Sequence, residues 1–158
     1  FSIGDALQEP LQATHFGRPF DKRPKQFTGY YRYTPGAKFQ NQDGSYVDGK
    51  QDTPSIYAIL YRNHDDQGHA VTLNGENVQT SPLIVARAIA TDLPATTEWR
   101  QFQVNFTFDK DIDLDLLENR GYSLAIVFSS SADGAYFQGA VGSTLDIDKV
   151  RVVCETQE

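Results

Sequence analysis

From Gln101 to Phe108 the sequence alternates polar and apolar without a break: Phe102, Val104, Phe106 and Phe108 occupy the even positions, and Gln101, Gln103, Asn105 and Thr107 the odd ones. A period of two belongs to a strand with one face on a core and one in water, because successive side chains of a strand leave on opposite faces. Further strand patterns run over Phe27-Thr-Gly-Tyr30-Tyr31-Arg32-Tyr33, Ser55 to Arg62, Leu83 to Thr91, Tyr122 to Phe128 and Leu145 to Cys154, with Phe1-Ser-Ile3-Gly4 as a short first one. Turn pairs such as Pro35-Gly36, Asp43-Gly44, Asp48-Gly49, Asn74-Gly75 and Asp133-Gly134 separate them. Only Asp113 to Gly121 suggests a helical turn, closed by Gly121. Strands without helical spacers predict an all-β fold, a jelly-roll β-sandwich of two antiparallel sheets. The expected core is Phe102, Val104, Phe106, Phe108, Leu124, Ile126 and Phe128.

The chain has 158 residues, the size of one domain, so residues 1–158 are expected to form a single jelly-roll unit. Fourteen basic against 21 acidic residues give a net charge of −7, which excludes nucleic acid as a first partner, since phosphate binding needs a basic face. No apolar run approaches the roughly 18 residues of a helical membrane span, so this segment is not expected to insert in a bilayer. The single Cys154 has no internal disulfide partner and says nothing about compartment.

No catalytic constellation is visible: the chain carries no nucleophile elbow, phosphate loop or dinucleotide fingerprint. His64 and His69 lack zinc spacing and read as loop histidines, and the run Asp109 to Asp115 lacks the central glycine of a calcium loop. Paired carboxylates for glycoside hydrolysis require a separation that spacing along a chain does not give. No cofactor is required. The candidate ion is a structural calcium at Asp148, in the last strand, with capping or backbone N–H acceptance as the competing role of that carboxylate.

The strongest functional pattern lies on the odd face of the strand from Glu98 to Phe108, where Trp99 is followed by Gln101, Gln103 and Asn105. An indole beside a row of amides suits a sugar, whose flat apolar ring face stacks on aromatics and whose hydroxyls need groups that both donate and accept. Tyr30 and Arg32 form a second candidate surface, opposite in facing to Tyr31 and Tyr33, which read as core; Tyr136 in a loop is a third. Arg18, between Gly17 and Pro19, is expected to play a structural part through its guanidinium.

Several segments are distinctive as a set: Phe16-Gly17-Arg18-Pro19-Phe20 with Arg23-Pro24, Gly29 to Gly36, Ile56 to Tyr61, Phe128-Ser129-Ser130-Ser131, Asp133-Gly134, Gly139 to Leu145, and Asp148. In these blocks the chain resembles the putative carbohydrate metabolism domain of secreted and surface proteins of Bacteroidetes. The resemblance implies a jelly roll similar to carbohydrate-binding modules, within a larger exported protein at the cell surface or outside it. It implies no catalytic residues. Arg32 stands where a Lys is commoner in the family and Lys149 where an acid is usual. The expected function is a non-catalytic, lectin-like module for a poly- or oligosaccharide in a glycan-degrading system, with the parent protein's other domains as further partners. The alternatives are a glycoside-active enzyme using paired carboxylates and a structural or adhesion domain of a surface protein.

Overall fold

The computed structural model describes residues 15–133 and 138–155. The strands begin with β1 (His15–Phe16), β2 (Arg18–Phe20), β3 (Pro24–Thr34), β4 (Phe39–Gln40), β5 (Tyr46–Val47) and β6 (Ser55–Arg62). They continue with β7 (Leu73–Asn74), β8 (Ile84–Ile89), β9 (Thr96–Asn105) and β10 (Thr107–Phe108), then helix α1 (Leu114–Glu118), β11 (Tyr122–Ser129), β12 (Gly139–Ala140) and β13 (Thr144–Cys154). All sheet pairings are antiparallel. A five-stranded sheet ordered β10-β8-β6-β11-β2 packs on a three-stranded sheet ordered β13-β3-β9, and two small sheets, β12-β4-β5 and β1-β7, complete the strands. The all-β sandwich expected from the alternation is what forms.

Between the two main sheets, Phe27, Tyr31 and Tyr33 of β3 meet Ile56, Ala58 and Leu60 of β6, with Phe102 from β9. The other side of β6 carries Tyr57, Ile59 and Tyr61 and is covered by Leu73 and Val78. Burial on both sides explains why this strand reads as continuously apolar. Phe102 lies across β3 at Gly29, opposite which it pairs in register. A Cβ at Gly29 would lie 2.5 Å from Phe102 Cζ, so only glycine leaves room for the ring. Phe102 also rests on Phe27, ring centres 5.2 Å apart.

One buried carboxylate ties the loops at the end of the sandwich. Asp52 is 3% exposed; its Oδ2 accepts from Ser131 Oγ (2.6 Å), Ser143 Oγ (2.6 Å) and the Ala140 N–H (2.9 Å), and its Oδ1 accepts the Thr53 N–H (2.9 Å). Ser143 Oγ in turn accepts the Gly36 N–H at 2.9 Å. Four donors satisfy this carboxylate, as burial of such a group demands. Sequence spacing does not single it out.

Two expectations are corrected. The strand from Glu98 to Phe108 is not one element: at Phe106, whose N–H bonds Lys25 O (2.9 Å), the chain leaves β3 and enters the other sheet as β10 beside β8. Alternation survives the crossing because both sheets present apolar side chains to one core; Phe102 and Phe106 are buried, while Val104 and Phe108 are half-buried against it. Phe128 is 37% exposed rather than in the core, because β2 pairs β11 only from Tyr122 to Leu124 and leaves this end uncovered; its ring leans on Phe27 at 6.2 Å. Leu124 and Ile126 do pack on the core, half-buried. Arg18 is exposed on β2, which pairs with β11 through the backbone, and lies within ion-pair range of no carboxylate among the described residues.

The helical turn forms as expected. Asp113 caps α1, its carboxylate accepting the N–H groups of Asp115 (2.9 Å) and Leu116 (3.2 Å), and the Gly121 N–H closes on Leu116 O (2.7 Å). His64 Nδ1 lies 2.7 Å from Asn63 Oδ1 and His69 Nδ1 3.4 Å from Asp65, both rings in exposed loop positions. The segment Phe1 to Gly4 and Tyr136 lie outside the described residues.

Two outcomes follow. Gly29→Ala should destabilise the domain by about 1–3 kcal/mol through overpacking, lowering the melting temperature by roughly 2–4 °C per kcal/mol; an unchanged melt would contradict the Phe102 packing. Burial raises the phenol pKa of Tyr31, Tyr33, Tyr57 and Tyr61 above 10.0. Above pH 10 the unfolded chain loses these protons first, so their stabilising effect is complete below that pH and is lost as pH rises through the folded-state values. Thermal melts should fall increasingly above pH 10, with phenolate absorbance at 295 nm appearing together with unfolding; full ionisation of these tyrosines in the folded protein would contradict their burial.

Candidate carbohydrate-binding face

The outer face of β13-β3-β9 gathers residues that the sequence leaves far apart. Register places Gln101 opposite Tyr30 and Tyr30 opposite Asp148; the next rungs are Gln103–Thr28–Arg151 and Asn105–Gln26–Val153. Directly opposed residues share a face. The two candidate surfaces, Trp99 with its amides and Tyr30 with Arg32, are therefore one surface, and Asp148 belongs to it.

Trp99 is stacked on Arg32. The Arg32 guanidinium carbon lies 4.3 Å from the indole ring centre, and Arg32 reaches Asp146 of β13 at 3.1 Å. The Nε of Arg32 is shielded from solvent and has no hydrogen-bond partner among the described residues. The indole thus rests one face on a cation fixed by a carboxylate, and the side chain remains 44% exposed. A local irregularity makes this possible: β9 carries two extra residues between the rungs at Thr96–Tyr33 and Arg100–Tyr31, opposite Arg32. Thr96 Oγ1 seals that bulge, donating to Glu98 O (2.9 Å) and accepting the Glu98 N–H (3.2 Å). Beyond it, a cleft of about 450 Å³ opens between Thr34–Pro35 and residues 95–98.

Gln101 and Gln103 are exposed in line with the indole. Asn105 ends the row with its Oδ1 accepting from Gln26 Nε2 at 3.1 Å. Tyr30 is half-buried at the centre of the face, with Lys149 Nζ 5.9 Å from its ring centre. Asp148 uses one oxygen on the backbone N–H of Lys149 (2.8 Å), the acceptor role weighed against calcium above. Among the described residues no three His, Cys, Asp or Glu side chains gather as a metal site would need. Asp146 and Gln26 are not singled out by the sequence, and Lys149 is noted there only as a departure from the family pattern. Extending the period of two backwards from Asp148 along β13 finds Asp146, but the other two require the cross-strand register.

An aromatic ring, flanking amides and exposed charged groups thus lie together on one open sheet face. Residues 1–153 match the family described as the putative carbohydrate metabolism domain. The chain belongs to that family. Two solved structures are similar over nearly all of it: a protein of Bacteroides thetaiotaomicron described as a putative glycoside hydrolase, 41% identical with a TM-score of 0.92, and one of Bacteroides vulgatus under the same description, 38% identical with a TM-score of 0.88. They cover 99% and 98% of this chain, which spans only 46% of the first and 61% of the second. No curated protein sequence matches.

Removing the support under the indole should expose it: Arg32→Ala is expected to increase acrylamide quenching of Trp99, the sole Trp of the chain, at a stability cost of about 0.5–1 kcal/mol. Unchanged quenching would contradict the stacked arrangement.

Proposed function

We propose that this domain is a non-catalytic carbohydrate-binding module, and that a poly- or oligosaccharide lies on the outer face of β13-β3-β9 with a sugar ring on Trp99. The observation that carries the reading is the exposed indole stacked on Arg32, with Gln101 and Gln103 following it along the strand. Successive positions of that row are about 6.6–6.8 Å apart, so two or so sugar units fit along it. The family's carbohydrate description supports a sugar as the ligand class. Exported, surface-associated work within a larger protein is the setting this reading assigns.

Trp99→Ala, assayed by affinity electrophoresis against a panel of polysaccharides, should lose about tenfold or more in affinity, since an aromatic stack contributes on the order of 1–3 kcal/mol by analogy with base stacking. The melt should stay within about 1 kcal/mol of the parent, because the side chain is on the surface. Retained affinity would remove the site from this face.

A second reading, glycosidic-bond hydrolysis, is favoured by the description of both similar structures. On this face it would rest on Asp146 and Asp148, alternate residues of β13. Neither carboxylate sits in an apolar enclosure of the kind that keeps a general acid protonated, Asp146 being paired with Arg32 and Asp148 exposed. Release of reducing ends that disappears in Asp146→Asn or Asp148→Asn would establish the enzyme and displace the binding-module reading.

A further inference from the structure

We propose that the glycan bound by this face is anionic, its carboxylate or sulfate groups held by Lys149 and Arg151 beside the Tyr30 ring; the inference rests on the face being the glycan site. The chain as a whole is acidic, yet Arg32, Lys149 and Arg151 all emerge on this one sheet face. Its two carboxylates are both engaged within the protein. Asp146 faces Arg32 at 3.1 Å, and Asp148 accepts the Lys149 N–H at 2.8 Å. Arg32 is therefore ion-paired, Lys149 and Arg151 have no ion-pair partner among the described residues, and by formal count the three cations exceed the two carboxylates by one.

Arg151 stands out among its kind. Of the eight arginines, six lie within ion-pair distance of a carboxylate among the described residues; only Arg18 and Arg151 do not. Lys149 occupies the bulge that adds one residue to β13 between the rungs of Asp148 and Arg151. Its φ is +53°, a left-handed conformation that a lysine adopts only at a cost. Strained backbone of this kind is concentrated where a chain presents groups to a ligand, and here the Lys149 ammonium is over Tyr30. An aromatic ring on the same face as two cations without an ion pair among the described residues, in formal excess over the carboxylates there, matches a uronate or a sulfated sugar, which has an apolar face to stack and an anion at its edge. The net charge of −7 does not oppose this, because repulsion from distant surface carboxylates is screened over about 8 Å at physiological salt.

The test uses the domain against polygalacturonate, alginate and dextran sulfate, with methyl-esterified polygalacturonate, propylene-glycol-esterified alginate and plain dextran as their uncharged counterparts. At least one charged polymer should bind about tenfold or more tightly than its counterpart, and its affinity should fall as salt rises from about 0.05 to about 0.5 M. Binding to a uronan alone assigns a carboxylate, and binding to dextran sulfate alone a sulfate ester. Replacing Lys149→Gln and Arg151→Gln together should cost about tenfold in affinity with an unchanged melt, while saturating polymer still shifts the fluorescence of Trp99. Equal binding of charged and uncharged polymers, or a double variant that binds like the parent, would overturn the inference and leave the face as a neutral-glycan site. Affinity untouched by Trp99→Ala, or no binding by any of the six polymers, would overturn the face and the inference together.

Discussion

The contact between Phe102 and Gly29 sets what the rest of the domain can present. The ring fills the space where a side chain on β3 would stand, and this fixes the pairing of β3 with β9. A slip by one residue would turn every side chain of β9 to the other face, exposing Phe102 and Val104 and burying the glutamines. Because a buried aromatic cannot be traded for an amide without loss of several kcal/mol, the register is strongly specified. The outer face, with its indole and amides, follows from what the inner face must bury.

The outer face is then shaped by interactions that are individually weak. Trp99 rests on Arg32, Arg32 on Asp146, and Lys149 overhangs Tyr30 from a bulge in β13. Exposed ion pairs and cation–π contacts each contribute at most about 1 kcal/mol, so their consequence is orientation more than stability. They set the Trp99 ring against Arg32 on the outer face with little effect on overall stability. Asp52 does comparable work at the end of the sandwich with stronger means, gathering the backbone and hydroxyls of three separate loops around a buried carboxylate.

The alternation from Gln101 to Phe108 makes the inward and outward positions legible in the sequence, as does the separation of Tyr31 and Tyr33 from Tyr30 and Arg32. Periodicity is local information, and one strand suffices to express it. It did not reveal that the chain changes sheets at Phe106, because both sheets demand the same alternation toward a shared core. Phe128 misled for a related reason: its pattern is that of a core strand, but its cover depends on where the distant strand β2 stops. The union of the Trp99 and Tyr30 surfaces, the pairing of Arg32 with Asp146, and the Asp52 cluster are set by register between segments dozens of residues apart, which spacing along the chain does not encode. Asp52 lies 79 to 91 residues from the serines that bond it.

The face is the central assignment, and chemical-shift mapping by NMR tests it without altering a residue. On titration with a bound glycan, the Trp99 indole N–H, the side-chain amides of Gln101 and Gln103, and the backbone of residues 148–151 should move together and saturate at one concentration. The exposed positions Tyr46 and Val141, on and beside the β12-β4-β5 sheet and off the β13-β3-β9 face, should stay still. Shifts that gather around Tyr46 and Val141 while Trp99 remains unmoved would contradict the assignment.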